Sequence, residues 1–418
     1  SYSVTGVQTC ALPIYLDHAA TTPMDSKVAK KMAEISIEVF GNPSSLHQFG
    51  RKSREIIEVA REKIASFLNS DKEEIIFSGG GSESDNLAIR GVIGAVIRKF
   101  KIKPHIITSA YEHHAVIDTI KELEKNKVIE ASYIKLDENG IIDPQRVLSE
   151  IRDNTVLISI MYVNNEVGAI NRVSEIGSLI EEINRTREEK DRIYFHTDAV
   201  QAAEYCNLDV NFLKCDLMSL AAHKFYGPKG VGVLYVRKNT PIEAEITGGN
   251  QERGIRAGTE NIAGIAGTAE AIDLIEKERI GAEGDKYVAE LIVTKESERI
   301  LKLRDYLYNG IKSKIENIRL NGGMERRVPS NLNVSFLGAE GEAIILMLDN
   351  EGIAVSSGSA CTSGSIEPSH VLMSMGLRPE EAHGSIRFSL GEDNTIEEID
   401  EVLRVLPKIG RASCRERV

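Results

Sequence analysis

The sequence predicts an α/β protein: a large domain with a mostly parallel sheet between helices, followed by a smaller α+β C-terminal domain. Three observations predict it. From Glu73 to Arg237, short apolar β-rich runs alternate with amphipathic segments, the pattern of a parallel sheet covered on both faces. A charged helical stretch then runs from roughly Ile272 to Tyr308 with no clear strand inside it. Beyond it come NLNVSFLG, the helical EGEAIILMLDNEG, IRFSLG and a last helix, TIEEIDEVLRVL.

In order, the runs are IIF at Ile75, HIIT at His105, TVLISIMY at Thr155, RIYFHTD at Arg192, DLMSLAA at Asp216 and VGVLYV at Val231. ESDNLAIRGVIGAVIRKF and VSEIGSLIEEINRTREEK are helices between them. In such a sheet, ligands sit at the carboxyl ends of the strands. The two chain ends read differently. Ser1–Ile14 and Ile409–Val418 look like translated sequencing-adapter DNA and are expected to lie outside the fold. The expected division is therefore 1–14 foreign, 15–272 the large domain (its first residues joining the small one), 273–408 the small domain, and 409–418 foreign.

Composition narrows the function. A net charge of −12, no Trp and 5% aromatic residues argue against direct nucleic-acid binding, which needs a basic face and stacking rings. Without the odd ends, Cys206, Cys215 and Cys361 remain and form no CxxC pair. Neither a disulfide framework nor a metal site is expected, and a reducing, cytoplasmic setting fits. No stretch approaches the ~18 uninterrupted apolar residues of a membrane span, and Ser1–Ile14 lacks a signal peptide's basic start.

Several residues can carry chemistry. In AAHKFYGPKG, Lys224 follows a buried-looking strand. Lysine forms Schiff bases with carbonyl cofactors when burial lowers its pKa; an ordinary loop-opening lysine reads equally well. Asp198, at the end of RIYFHTD, suits the pyridine nitrogen of pyridoxal 5'-phosphate (PLP), or a helix N-cap. FSGGGSESDNLAIRG opens a helix after a strand, where backbone N–H groups and the Ser82 hydroxyl can meet a phosphate. It is neither GxGxxG nor a P-loop, and many such turns are merely tight turns.

Ten motifs in order, YLDHAATTP, FGNPSSLHQFGR, SESDNLAIRG, EHHAV, VNNEVG, HTDAVQ, AHKFYGPKG, RAGTEN, SSGSACTSG and SIRFSLG, resemble those of NifS/IscS-type cysteine desulfurases. These are fold-type I PLP-dependent transferases of the class V aminotransferase superfamily. The resemblance runs from about Tyr15 to about Leu406. It implies that Lys224 is the Schiff-base lysine, that Asp198 partners the pyridinium nitrogen, and that His113 stacks on the ring and moves protons. His114 is expected to be a bystander. It further implies that Asn165 and Gln201 hydrogen-bond the ring oxygen and the substrate, and that Gly81, Ser82 and His223 cradle the phosphate. Thr259 is implied to reach the phosphate of a neighbouring subunit in a homodimer, and Arg387 to clamp the substrate carboxylate. Cys361 is implied to take sulfur from L-cysteine as a persulfide, leaving L-alanine. An acceptor protein, such as an iron–sulfur scaffold or a tRNA-thiolation protein, would then receive the sulfur. Cys361 sits among Gly, Ser and Ala, the composition of an uncrowded loop, whereas a structural free Cys is usually buried. Two departures stand out: Ala221 where many relatives have Ser, and a longer connection at about Gly281–Lys295. Rival readings are a selenocysteine lyase or aminotransferase on the same fold, and a non-catalytic scaffold.

Overall fold

The computed structural model describes residues 13–284, 288–357 and 368–413. Its main sheet has seven strands, in the order Ile75–Ser78, Gly232–Val236, Leu217–Ala221, Tyr194–Asp198, Thr155–Ser159, His105–Ser109 and Glu130–Ile134. All run in one direction except Gly232–Val236, which is antiparallel to both neighbours. The five strands from Ile75, Leu217, Tyr194, Thr155 and His105 are buried at every position, as expected of a sheet covered on both faces. Glu130–Ile134 is missing from the sequence-based reading. EASYI is a half-buried edge strand, too polar to stand out as an apolar run.

Helix Gly81–Phe100 covers one face with Leu87, Ala88, Val92 and Val96. On the other, Gln48–Leu68 and Ile262–Arg279 pack together. Ile262–Arg279 runs through the expected boundary at 272/273, so the large body extends to Arg279.

The smaller body is an antiparallel sheet of Ile318–Leu320, Asn331–Phe336 and Ser385–Ser389, with Asn331–Phe336 central. Helices Lys295–Lys314, Gly341–Asn350 and Ile396–Ser413 lie against it. Within the stretch expected to be helical, Glu283–Gly284 and Ile292–Val293 pair instead as a short ladder. Val371, Leu372, Met375 and Ala382 belong to the large core, so this part of the C-terminal half docks on the first body.

The expected outer limits need correction at both ends. Ile14–Tyr15 pairs in parallel with Ile353–Ala354, and Ile14 is buried in the small core. Helix Ile396–Ser413 continues past Leu406, and Ile409 is buried in the same core. Its position follows from helical spacing: Val402, Val405, Leu406 and Ile409 share one stripe. Among the described residues no helix is long and apolar enough to cross a membrane.

Ile409→Ala should therefore destabilise the fold by about 2 kcal/mol, the lower end for emptying a buried aliphatic site. Urea unfolding checks this, and an unchanged midpoint would return Ile409 to the exterior.

Candidate active site

Lys224, Asp198, His113, Asn165 and Gly81 lie at or just past the carboxyl ends of main-sheet strands, whereas Arg387 belongs to a strand of the small sheet and Thr259 to a loop. Leu217–Ala221 breaks into a tight turn, Ala222–Lys224, closed by Phe225 and Gly227 N–H groups donating to Ala222 O at 3.1 and 2.9 Å. A side chain at Gly227 would lie 2.7 Å from that carbonyl, so the turn needs glycine. The turn delivers Lys224, whose Nζ donates to Ala19 O at 2.7 Å and Ala20 O at 2.6 Å. Gln201 Nε2 donates to the same Ala19 carbonyl at 2.8 Å. His223 Nδ1 lies 3.1 Å from Thr21 Oγ1, and Thr22 Oγ1 accepts from Tyr226 N–H at 2.8 Å. YLDHAATTP is thus a strap laid across the lysine turn.

Asp198 is buried at the end of Tyr194–Asp198, and its Oδ1 accepts from Val200 N–H at 2.9 Å. It caps the local turn and also faces the lysine. Burial pushes its carboxyl up to about 6, against the pull of the Val200 bond and the Lys224 charge. His113 caps helix His114–Lys125, with Nδ1 accepting from Ala115 N–H at 3.1 Å; the ring proton therefore sits on Nε2. Burial, helped by Lys224 and His114, holds His113 down to about 4. The ring is neutral at neutral pH. Asp85, His113 and Asp198 bring their ligand atoms within 4.8 Å of one another. Two carboxyls that close cannot both ionise in a dry site, and burial with the Asp198 charge holds Asp85 well above the usual range. Beneath them His196 is fully buried between Ser159 Oγ at 2.8 Å and Ser219 Oγ at 3.0 Å. Burial lowers it to about 3.

Arg387, read from sequence without the resemblance as an edge or surface charge, is buried. Its Nη1 donates to Asn165 O at 2.8 Å and its Nη2 to Asp17 Oδ1 at 2.7 Å. Cys361 lies outside the described residues. The residues flanking that stretch are fastened at the site: Ser356 N–H donates to Arg387 O at 3.2 Å, and Ser369 Oγ donates to Glu166 Oε2 at 2.5 Å. Next to Ser369, His370 Nε2 lies 2.9 Å from Glu112 O. His114 stays at the margin, 2.9 Å from Asp118 Oδ2.

Gly81 and Ser82 open helix Gly81–Phe100. A side chain on Gly81 would lie 2.9 Å from Val200 Cγ2 and 3.3 Å from Ala221 Cβ, so the helix start closes on the strand that carries the lysine. Ala221 is therefore at the helix opening, where a serine would have offered a hydroxyl. Ser82 is exposed in the first turn. Thr259 is exposed on a loop tied to that turn by Arg256 Nε donating to Glu83 Oε1 at 2.8 Å. Buried Glu252 roots the same loop: both of its oxygens accept from Arg61 at 2.8 Å, and Oε2 also from Phe77 N–H at 2.9 Å.

Sequence reasoning gave no task to Asp17, Asp85, Glu112, Glu166 or His196. All five sit inside quoted motifs, and a titratable side chain within such a motif was the available signal.

The aminotransferase class-V family model matches residues 14–402. A cysteine desulfurase IscS of Clostridium botulinum is 46% identical over 95% of this chain and 94% of its own. That of Dictyoglomus turgidum is 47% identical over the same shares. Among solved structures, a NifS-like protein superposes with a TM-score of 0.84 at 33% identity, covering 95% of this chain and 99% of its own. SspA in complex with cysteine matches with a TM-score of 0.75 at 33% identity, covering 91% and 100%.

Glu112 supplies a pH test of this geometry. Its Oε1 accepts from Ser109 Oγ at 2.5 Å and Met161 N–H at 3.0 Å, and burial pushes its carboxyl from 4.5 up to about 8. The folded state keeps a proton that the unfolded chain releases, so this contribution is full below pH ~4.5 and is lost as pH rises toward ~8. Glu112→Gln should flatten the fall in thermal stability across that window, each pKa unit being worth about 1.4 kcal/mol. Melting curves at intervals from pH 5 to 9 read it, and parallel curves for the two proteins would refute it.

Proposed function

The chain belongs to the aminotransferase class-V family and is a cysteine desulfurase, and we propose that it works on L-cysteine with PLP held on Lys224, passing sulfur to Cys361. The observation that carries this is the convergence on one strap: Ala19 O accepts from both Lys224 Nζ and Gln201 Nε2, while two residues back Asp17 meets Arg387. One strap meeting Lys224, Gln201 and Arg387 supports reading them as amine, ring-facing group and carboxylate clamp.

The residues present fit PLP. A primary amine is delivered at the sheet edge, a buried carboxyl couples to it electrostatically, and a neutral imidazole lies beside that carboxyl. An open helix start adjoins the lysine strand. Lys224 would hold the cofactor, Asp198 its ring nitrogen and His113 its ring face. Asn165 and Gln201 would serve its ring oxygen, and Gly81, Ser82, His223 and a neighbouring subunit's Thr259 its phosphate. When bound, PLP supplies an electron sink for charge developing at the substrate Cα.

The chain's own residues then do the following. Arg387 holds the substrate carboxylate in its guanidinium fork. Lys224 Nζ moves the Cα proton. His113, neutral with Nε2 protonated, can exchange a proton in the same cleft. The Cys361 thiolate attacks the substrate sulfur; an S–S bond forms, the C–S bond breaks, its electron pair stays with carbon, and alanine leaves. The other internal thiols support Cys361 by contrast. Cys206 and Cys215 are buried and burial pushes both up to about 12, so neither supplies the thiolate that is the nucleophile.

Beyond the subunit, the reading includes a homodimer. Ile37, Phe40 and Leu46 are among the most exposed large apolar residues, and Phe40 stacks on Phe49. A cavity of about 250 Å³ joins this region, through Pro43 and Ser44, to Gln251 and Glu260 of the Thr259 loop. Exposed apolar side chains near the loop that would serve a neighbour's phosphate are what a second copy would cover. The persulfide would pass to a sulfur-acceptor protein in a reducing, cytoplasmic compartment.

Borohydride reduction of the holoenzyme, followed by peptide mapping, should place the cofactor on Lys224; an adduct on another lysine overturns the assignment. Cys361→Ala should still change the cofactor spectrum on adding L-cysteine yet lose nearly all alanine and sulfide production. In wild type, brief exposure without reductant should add one sulfur atom to the peptide bearing Cys361. Near-normal turnover by the alanine variant would shift the reading to a lyase or aminotransferase that needs no thiol.

A further inference from the structure

The YLDHAATTP strap caps Lys224 with its carbonyls, but the reaction as described leaves its carboxylate without a task. We propose that Asp17 is a positioning residue for substrate binding, presetting the Arg387 guanidinium so that the substrate carboxylate meets a fork already aimed. The proposal rests on Arg387 being the carboxylate clamp.

Both partners are carried on one rigid piece of backbone. Arg387 lies opposite Asn333 in the small sheet. On its other side it exchanges two backbone bonds with Ser356, Ser356 N–H to Arg387 O at 3.2 Å and Arg387 N–H to Ser356 O at 2.6 Å. Asp17 forms a parallel bridge with Ser389, two residues further along the arginine's own strand. His18 N–H donates to Ser389 O at 3.2 Å, Ser389 N–H to Leu16 O at 2.8 Å, and Ala19 N–H to Ser389 Oγ at 2.9 Å. Tyr15 Oη adds a bond to Asp17 O at 3.1 Å. The chain is thus fastened on both sides of Asp17, and its carboxylate stays beside the guanidinium.

An arginine side chain has among the largest rotamer entropies to lose on being ordered. Here much of that ordering precedes substrate. Nη2 is drawn to Asp17 Oδ1 at 2.7 Å and Nη1 to Asn165 O at 2.8 Å. The Arg387 side chain is 2% exposed and that of Asp17 20%. A guanidinium this deep requires an anionic neighbour, and Asp17 provides one on the more open side. Binding is favoured because less freedom remains to be lost at the moment of contact.

The test uses purified holoenzyme and two readouts: kcat and KM for L-cysteine, and the calorimetric Kd of 3-mercaptopropionate, a carboxylate without an amino group to react with the cofactor. Asp17→Ala should raise KM and Kd about tenfold and leave kcat within about threefold, as expected for losing a hydrogen bond to a charged group. Asp17→Asn keeps an acceptor oxygen but loses the negative charge, and should recover only part of both. Asp17→Glu, which keeps the charge but displaces the acceptor, should raise KM severalfold and serves if the alanine variant does not fold. Unchanged KM in the Ala or Glu variants overturns the proposal. So does a lower Kd, since Asp17 would then be competing with substrate, or a loss confined to kcat. Arg387→Ala separates the premise: if it leaves Kd unchanged, the clamp reading fails, whereas a loss there with no effect at Asp17 sinks the positioning role alone.

Discussion

Desolvation around Lys224 is the constraint on which the rest of the site depends. Burial pushes Asp85, Glu112 and Asp198 up and holds His113, His196 and His223 down. Both directions favour neutral forms. The floor beneath the lysine is therefore made of neutral imidazoles and of two acids, Asp85 and Glu112, whose protonated forms burial favours. Asp198, at about 6, is instead largely ionised at neutral pH. An anion there acts on the Lys224 amine from a buried position, where a given charge acts more strongly than in water.

That floor belongs to the large body, whereas Arg387 belongs to the small one. The strap from Tyr15 to Thr22 connects them. Its backbone follows the arginine strand through Ser389 and then crosses to the lysine turn, where Ala19, Ala20, Thr21 and Thr22 all find partners. A displacement of either body would be felt by both ends of the strap, so Arg387 and Lys224 are held at a set spacing by eight residues.

Much of this was legible in the sequence where the signal is local. A fully buried strand ending in a titratable residue is a short, recognisable pattern, and Lys224 and Asp198 both follow it. The glycine turn before Leu87 marked the helix start for the same reason. Partners set by distance along the chain were not legible. Asp17 and Arg387 are 370 positions apart, and nothing near either names the other. The course of Gly232–Val236 was hidden too, because an apolar run carries no direction. Ile409 was assigned to a foreign tail on its neighbours' composition, while the spacing of Val402, Val405 and Leu406 already continued the helix through it.

The reversed strand also bears on the order in which the molecule can assemble. Ile75–Ser78 is an edge strand whose sheet neighbour is Gly232–Val236. The glycine-rich helix start is therefore synthesised early but has no sheet to join until the lysine turn and the strand after it have left the ribosome. Ile14–Tyr15 waits longer still, since its partner strand is Ile353–Ala354. Such late, distant pairings make for slow folding. The strand at Ile14–Tyr15 stays unpaired until most of the rest has been made, and this is the interval in which a nascent chain depends most on being shielded from its neighbours.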